Sequence, residues 1–284
     1  MRLDGRRESD NVDDRRGRGA GGKISLGIGG TIIVGLLVWL MGGNPMDVVT
    51  QQISDNSGTE TTYTPTAEEE QAATFAKKIL AGTEDVWTEV FRKNGLQYTP
   101  PKMVLFSGSV RSGCGTASAS TGPFYCSADQ SLYIDLSFFK EMENQLNAGG
   151  DFAYAYVIAH EVGHHVQYLL GTLDKVHSQQ QRVSQSESNQ LSVRLELQAD
   201  FYAGVWAYYD NKNFSSIEDG DIDEGLNAAS QIGDDRLQMQ AQGYTVPDSF
   251  NHGTSAQRSR WLRKGLQTGN IADGDTFSVP YSQL

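Results

Sequence analysis

The pentapeptide His160-Glu161-Val162-Gly163-His164 places two imidazoles four residues apart with a carboxylate between them. On a helix, positions i and i+4 share a face about 6 Å apart along the axis, so both rings can reach one metal ion. Glu161 sits one step round the axis, where it can face a water activated by that ion. This is a set of ligands with a general base inside one helical turn, the chemistry of zinc-dependent hydrolysis. The structural alternative is a pair of satisfied core histidines, and two on one face beside an acid argue against it.

A catalytic zinc needs a third protein ligand and an open position. The downstream extension HExxHxxGxxH is excluded, because Gln167 and Leu170 occupy those places. The inverted HxxEH order is also absent, so the third ligand belongs on a separate element. Glu196 is the candidate. It lies in Leu195-Glu196-Leu197-Gln198-Ala199-Asp200, where Leu191, Leu195, Ala199 and Ala203 recur at helical spacing. Glu196 and Asp200 share that apolar face, where an acid is rarely tolerated without a partner. A metal would satisfy Glu196, and Asp200 is placed to accept the second ring N–H of a ligand histidine. Ordinary helix salt bridges are the alternative, with Arg194 the nearest basic residue and on another face.

These residues resemble known proteins. HEVGHH followed by ELQAD is similar to the gluzincin class of metallopeptidases, in which a glutamate from a later ExxxD helix joins the HExxH helix. Cys114-Gly115 through Gly122-Pro123-Phe124-Tyr125-Cys126, Leu132-Tyr133-Ile134-Asp135, HEVGHHVQ, ELQADFYAG, IGDDRLQ and HGTSAQR resemble, in order, the neutral zinc metallopeptidase family of bacterial single-pass membrane proteins. The resemblance implies a zincin-like fold and a peptidase activity, and says little about substrate.

The elements that must position these groups are readable in outline. Phe152 to Ala159 is apolar and helix-compatible, and Val166, Leu169 and Leu170 continue the pattern to Gly171, so the motif belongs to a buried helix. Thr66-Ala67-Glu68-Glu69 has capping-box spacing and opens a helix to about Lys93, broken or bent near Gly82-Thr83. Lys102 to Val110 and Leu132 to Leu136 read as strands, the second as an edge above the metal helix to which an extended peptide could add. Further helices are expected over Ser184 to Asp210, Ile222 to Gln242 and Thr254 to Gln267. Gly163 inside a helix costs about 1 kcal/mol, which implies that another backbone approaches it closely. His252 precedes a helix-start signature and is either an oxyanion donor or a turn residue. His165, about 100° from His164 around the helix, is expected outside the ligand set or on the surface, and His177 in solvent.

The rest of the chain suggests an anchored enzyme. Residues 1–23 are polar and charged and read as a disordered cytoplasmic tail. Ile24 to Met41 carries no charge and is long enough for a transmembrane signal anchor. Seven basic residues precede it and none lies between Gly42 and Phe75, so the positive-inside rule puts the N-terminus in the cytoplasm and the catalytic domain outside. Residues 42–65 read as a flexible linker and 66–284 as one domain. Cys114 and Cys126, the only two cysteines, are expected to pair in that oxidising space, with a two-cysteine metal site as the competing idea. The net charge of −12 argues against nucleic acid or anionic lipid headgroups as partners.

The expectation is therefore an α+β, mainly helical zincin-like domain with a small β-sheet behind one transmembrane helix. It would bind one Zn²⁺ through His160, His164 and Glu196, with Glu161 as general base, His252 as a further catalytic residue and Asp200 in support, and would hydrolyse peptide or protein substrates. An inactive zinc-stabilised binding or structural module anchored to the bilayer is the alternative.

Overall fold

The computed structural model describes residues 1–17 and 63–284. Its core is a set of helices packed against one face of a four-stranded sheet, an α+β arrangement. Strand β1 (Val12–Asp14) pairs in parallel with β2 (Lys102–Phe106), β2 in parallel with β6 (Ser131–Asp135), and β6 antiparallel with β5 (Phe124–Cys126), giving the order β1-β2-β6-β5. A separate hairpin joins β3 (Ser109–Ser112) to β4 (Gly115–Ser118). The strand expected at the edge is β6, and it is flanked on both sides. The edge near the metal helix is β5, a three-residue strand too short to stand out as a periodic run.

Helix α1 (Ala67–Lys93) starts at a capping box, in which the Thr66 hydroxyl accepts from the Glu69 N–H and the Glu69 carboxylate accepts from the Thr66 N–H. It runs unbroken through Gly82. That glycine has a packing reason, since a Cβ there would stand 2.8 Å from an Arg6 guanidinium nitrogen and 3.0 Å from an Asp210 carboxylate oxygen. Helix α2 is Ser137–Leu146, and α3 (Asp151–Leu169) carries the HExxH residues. Helix α3 is apolar on almost every side, as a helix must be when neighbours cover it all round, and Phe152, Tyr156 and Ile158 are buried. Helices α4 (Thr172–Gln180) and α5 (Gln185–Phe214) follow. The expected helix over 222–242 is two helices, α6 (Asp221–Gln231) and α7 (Asp234–Gln242). They divide at Gly233, where a Cβ would collide with the Ser255 backbone.

Helix α8 (Ser255–Thr268) opens with a second capping box, Thr254 with Gln257. It crosses α5 at backbone contact, since a Cβ on Gly265 would lie 2.1 Å from the Phe201 carbonyl oxygen and one on Gly204 2.3 Å from that of Leu262. Two glycines at one crossing bring the helix axes together and set the start of α8 beside the middle of α5.

The tail expected to be disordered is folded as far as it is described. Residues 1–17 form a strap that lays β1 along β2 and closes that edge of the sheet, with Met103 N–H donating to Asn11 O and Arg15 N–H to Leu105 O. Its arginines pair with acids, Arg6 with Asp210, Arg7 with Glu84, and Arg16 with Asp14 and Glu70. High charge and low hydropathy suggested disorder, but these charges have partners far along the chain, which composition does not register. Among the described residues no helix is long and apolar enough to cross a membrane. The expected span 24–41 and nearly all of the expected linker 42–65 lie outside the described residues.

Cys114 and Cys126 are joined in a disulfide that ties the β3–β4 turn to the end of β5.

Candidate metal centre

Helices α3 and α5 pack so closely that a Cβ on Gly163 would lie 2.9 Å from the Ala199 carbonyl oxygen. This is the close backbone approach that a glycine in mid-helix implied. It brings Glu196, one turn before Asp200, against the two motif histidines. His160 Nε2 lies 3.2 Å from Glu196 Oε2 and His164 Nε2 3.3 Å from Glu196 Oε1. Tetrahedral coordination at zinc bond lengths sets neighbouring ligand atoms about 3.3 Å apart. The three side chains are the group among the described residues whose ligand atoms all lie within 4.8 Å of one another. The donor set therefore fits a zinc ion in both chemistry and spacing.

The outward nitrogen of each histidine is held. His160 Nδ1 donates to Asp200 Oδ1 at 2.8 Å, and His164 Nδ1 donates to Gln167 Oε1 at 2.9 Å. Gln167 in turn donates through its amide nitrogen to Leu195 O and Gln198 Oε1, which fixes which end of the amide faces His164. With Nδ1 of each ring engaged outward, Nε2 is the nitrogen that each histidine turns toward Glu196 and would offer to a metal.

Asp200 is fully buried and accepts from four donor atoms: Tyr156 Oη at 2.6 Å, His160 Nδ1, and Arg258 through Nε at 2.9 Å and Nη2 at 2.9 Å. Burial would raise its pKa, but Arg258 and His160 more than offset that and hold it below its ordinary value. Arg258 comes from the first turn of α8, also buried, and reaches to 3.9 Å from Glu196. Arg194 faces elsewhere and donates to the carbonyls of Thr276 and Val279.

Burial alone would depress His160, yet Asp200 and Glu196 raise it to about 10. Glu196 is driven the other way, since His164 and His160 overcome its burial and hold it well below the carboxylate range. Glu161 is 8% exposed, and burial raises its carboxyl above the ordinary value. A raised carboxyl is better matched to taking a proton near neutral pH and giving it back.

His252 is buried and lies near enough to Glu196 to help lower that carboxylate's pKa. Its Nδ1 is 3.1 Å from Asp234 Oδ1, while Asp234 Oδ2 accepts the backbone N–H groups of Asn251, His252 and Gly253. The helix-start role belongs to Thr254, so His252 is left as an imidazole oriented by a buried carboxylate. His165 is fully buried rather than on the surface. Its Nε2–H donates to Thr99 O at 2.7 Å and its Nδ1 accepts from Tyr125 Oη at 2.9 Å, tying edge strand β5 to the metal helix. His177 is exposed, as expected.

The structure brings His160, His164 and Glu196 together with Asp200 behind His160, residues the motif reading had singled out along with Glu161, whereas Tyr156, Gln167, Arg258 and Asp234 were not anticipated. Tyr156 and Gln167 lie one turn from the motif histidines, at i−4 from His160 and i+3 from His164, and that spacing is a usable signal. Arg258 and Asp234 reach the site only through tertiary packing.

A family model described as putative neutral zinc metallopeptidase matches residues 1–277. The chain is 49% identical over 286 residues to the uncharacterized protein YpfJ of Escherichia coli strain K12, covering 98% of this chain and 99% of that one. It is 47% identical over 192 residues to the uncharacterized protein Rv2575 of Mycobacterium tuberculosis strain H37Rv, covering 64% of each. No solved structure matches.

Proposed function

Since the chain belongs to the neutral zinc metallopeptidase family, we propose that it is a membrane-attached peptidase that cuts peptide bonds with one zinc held by His160, His164 and Glu196. The observation that carries this reading is the convergence of ligand atoms from His160, His164 and Glu196 within 4.8 Å of one another, with the buried carboxyl of Glu161 next to His160 in the chain. When bound, zinc supplies a Lewis acid that activates water and polarises the substrate carbonyl.

The remaining chemistry falls to the chain. Glu161 takes the proton of the attacking water and delivers it to the leaving amine, a task suited to a carboxyl whose pKa burial has raised. His252 donates to the oxygen that becomes negative, and Asp234 holds its ring in that orientation. Tyr156 and Arg258 keep Asp200 in position and Asp200 keeps His160, while Gln167 keeps His164. The apolar stretch 24–41 attaches the chain to a membrane, and the disulfide between Cys114 and Cys126 fits an oxidising, extracytoplasmic compartment.

Elemental analysis of the full chain beside Glu196→Ala and Glu161→Gln tests the reading. Expected are about one zinc per chain in the parent and in Glu161→Gln, little in Glu196→Ala, and hydrolysis of a protein substrate by the parent alone. A metal-replete parent without zinc would sink the proposal. Zinc present with no cleavage by the parent would leave the non-catalytic module.

A further inference from the structure

A single crossing at 24–41 would put residues 1–17 and the domain in different compartments, yet the strap is part of the domain. Strand β1 is the outer strand of the sheet, and β2 beneath it has Met103, Val104 and Leu105 fully buried. Glu84 on α1, itself buried, receives Ser9 Oγ at 2.5 Å, Asn11 Nδ2 at 2.8 Å and Arg7 Nη2 at 2.8 Å, all from the strap. Asp210 on α5 is 1% exposed and receives Arg6. Gly82 leaves room for that pair. Without the strap two acids would be buried without their cations and β2 would be an open, apolar sheet edge, which is costly on both counts.

The two ends of the intervening chain also meet. A Cβ on Gly17 would collide with the Tyr63 ring, so the two described residues that flank residues 18–62 lie together on the domain. That stretch holds one run long enough to span a bilayer, 24–41, and the remainder to residue 62 includes Asp47, Asp55 and Glu60. A return crossing by such a polar segment would leave its backbone groups unsatisfied in hydrocarbon. The positive-inside argument weakens at the same time. Of the seven basic residues before Ile24, Arg2, Arg6, Arg7, Arg15 and Arg16 are engaged with carboxylates within the folded protein.

We propose that residues 1–17 and the catalytic domain occupy the same side of the membrane to which the chain is attached. This rests on the membrane attachment proposed above, but not on the peptidase reading.

Cysteine reporters in the full chain test it. Asp10→Cys lies in the strap and Gln97→Cys between α1 and β2, both at exposed positions. The parent, whose two cysteines are joined, is the blank. Each is treated with a membrane-impermeant maleimide in intact bacterial spheroplasts and again after permeabilisation. The ratio of the two signals should be the same for both reporters, and the chain should stay with the membrane through a carbonate wash. Labelling of one reporter in intact spheroplasts and of the other only after permeabilisation would overturn the proposal, as would recovery of the chain in the soluble fraction. Glu8→Cys provides a second strap reporter if Asp10→Cys accumulates poorly. Shielding of both reporters in intact spheroplasts supports a shared side but removes the extracytoplasmic placement, so the two readings fail separately.

Discussion

Both the metal centre and the N-terminal strap are built from buried charge, but they connect it differently. At the metal centre each charged group has several partners in fixed directions. Asp200 accepts from four donor atoms on three side chains, two of them within one turn on α3. Along the strap the pairs join points far apart in sequence, such as Arg6 with Asp210 and Arg7 with Glu84. The first arrangement holds ligand atoms to fractions of an ångström. The second fastens one end of the chain to the body of the fold, and the body needs it because the acids it meets are already buried. Order in a charged segment thus depends on whether its charges find desolvated partners, more than on how many it carries.

The largest expected effect tests whether the strap is structural. Arg6→Ala leaves Asp210 almost fully buried without its cation, and unfolding free energy should fall by about 3–5 kcal/mol. Urea denaturation of the zinc-loaded protein followed by circular dichroism measures this. A loss under about 1 kcal/mol, as for an exposed pair, would make the strap peripheral and erase the contrast with the metal centre. Removing residues 1–17 altogether should go further and abolish a cooperative transition, since β2 would lose its neighbour and Glu84 three donors.

What could be read from the sequence follows the same division. The grouping of His160, His164, Glu196 and Asp200 was legible because helical spacing converts sequence distance directly into direction. So were the helix starts at Thr66 and Thr254, where the capping pattern is local. Arg258 was not, because it meets Asp200 only where Gly204 and Gly265 let α5 and α8 touch. Residues 1–17 misled for a related reason. A three-residue strand leaves no periodic trace, and an arginine bound to a buried acid looks in sequence like any other arginine. Gly82 was noticed but misread as a helix break, whereas it is the mark of that acid's partner.

A smaller effect is expected from Asp200→Asn, which keeps the shape of the side chain but removes the charge shared by His160 and Arg258. Zinc affinity should drop 10- to 100-fold, the usual cost of altering a carboxylate behind a ligand histidine. Competition with a chromophoric chelator at fixed pH reads it out. Unchanged affinity would mean that Tyr156 and Arg258 hold His160 without the carboxylate, and that the dense network around Asp200 supports the α5–α8 contact rather than the metal.

The smallest effect tests a joint between the metal helix and the sheet. Burial pushes the pKa of the His165 imidazole down, and the backbone carbonyl of Thr99, which accepts from its Nε2–H, only partly opposes that. Its Nδ1 has Tyr125 Oη as donor. Tyr125→Phe removes that donor and leaves a buried acceptor unsatisfied, so stability should fall by about 1–3 kcal/mol while zinc per chain stays at the parent value. Because β5 is the open edge of the sheet beside α3, loosening it should also raise KM for an extended peptide more than it lowers kcat. An activity loss at unchanged stability would have the opposite meaning. Tyr125 would then be touching substrate, and the edge strand would be held by the disulfide and by Phe124 stacked on Tyr133 instead.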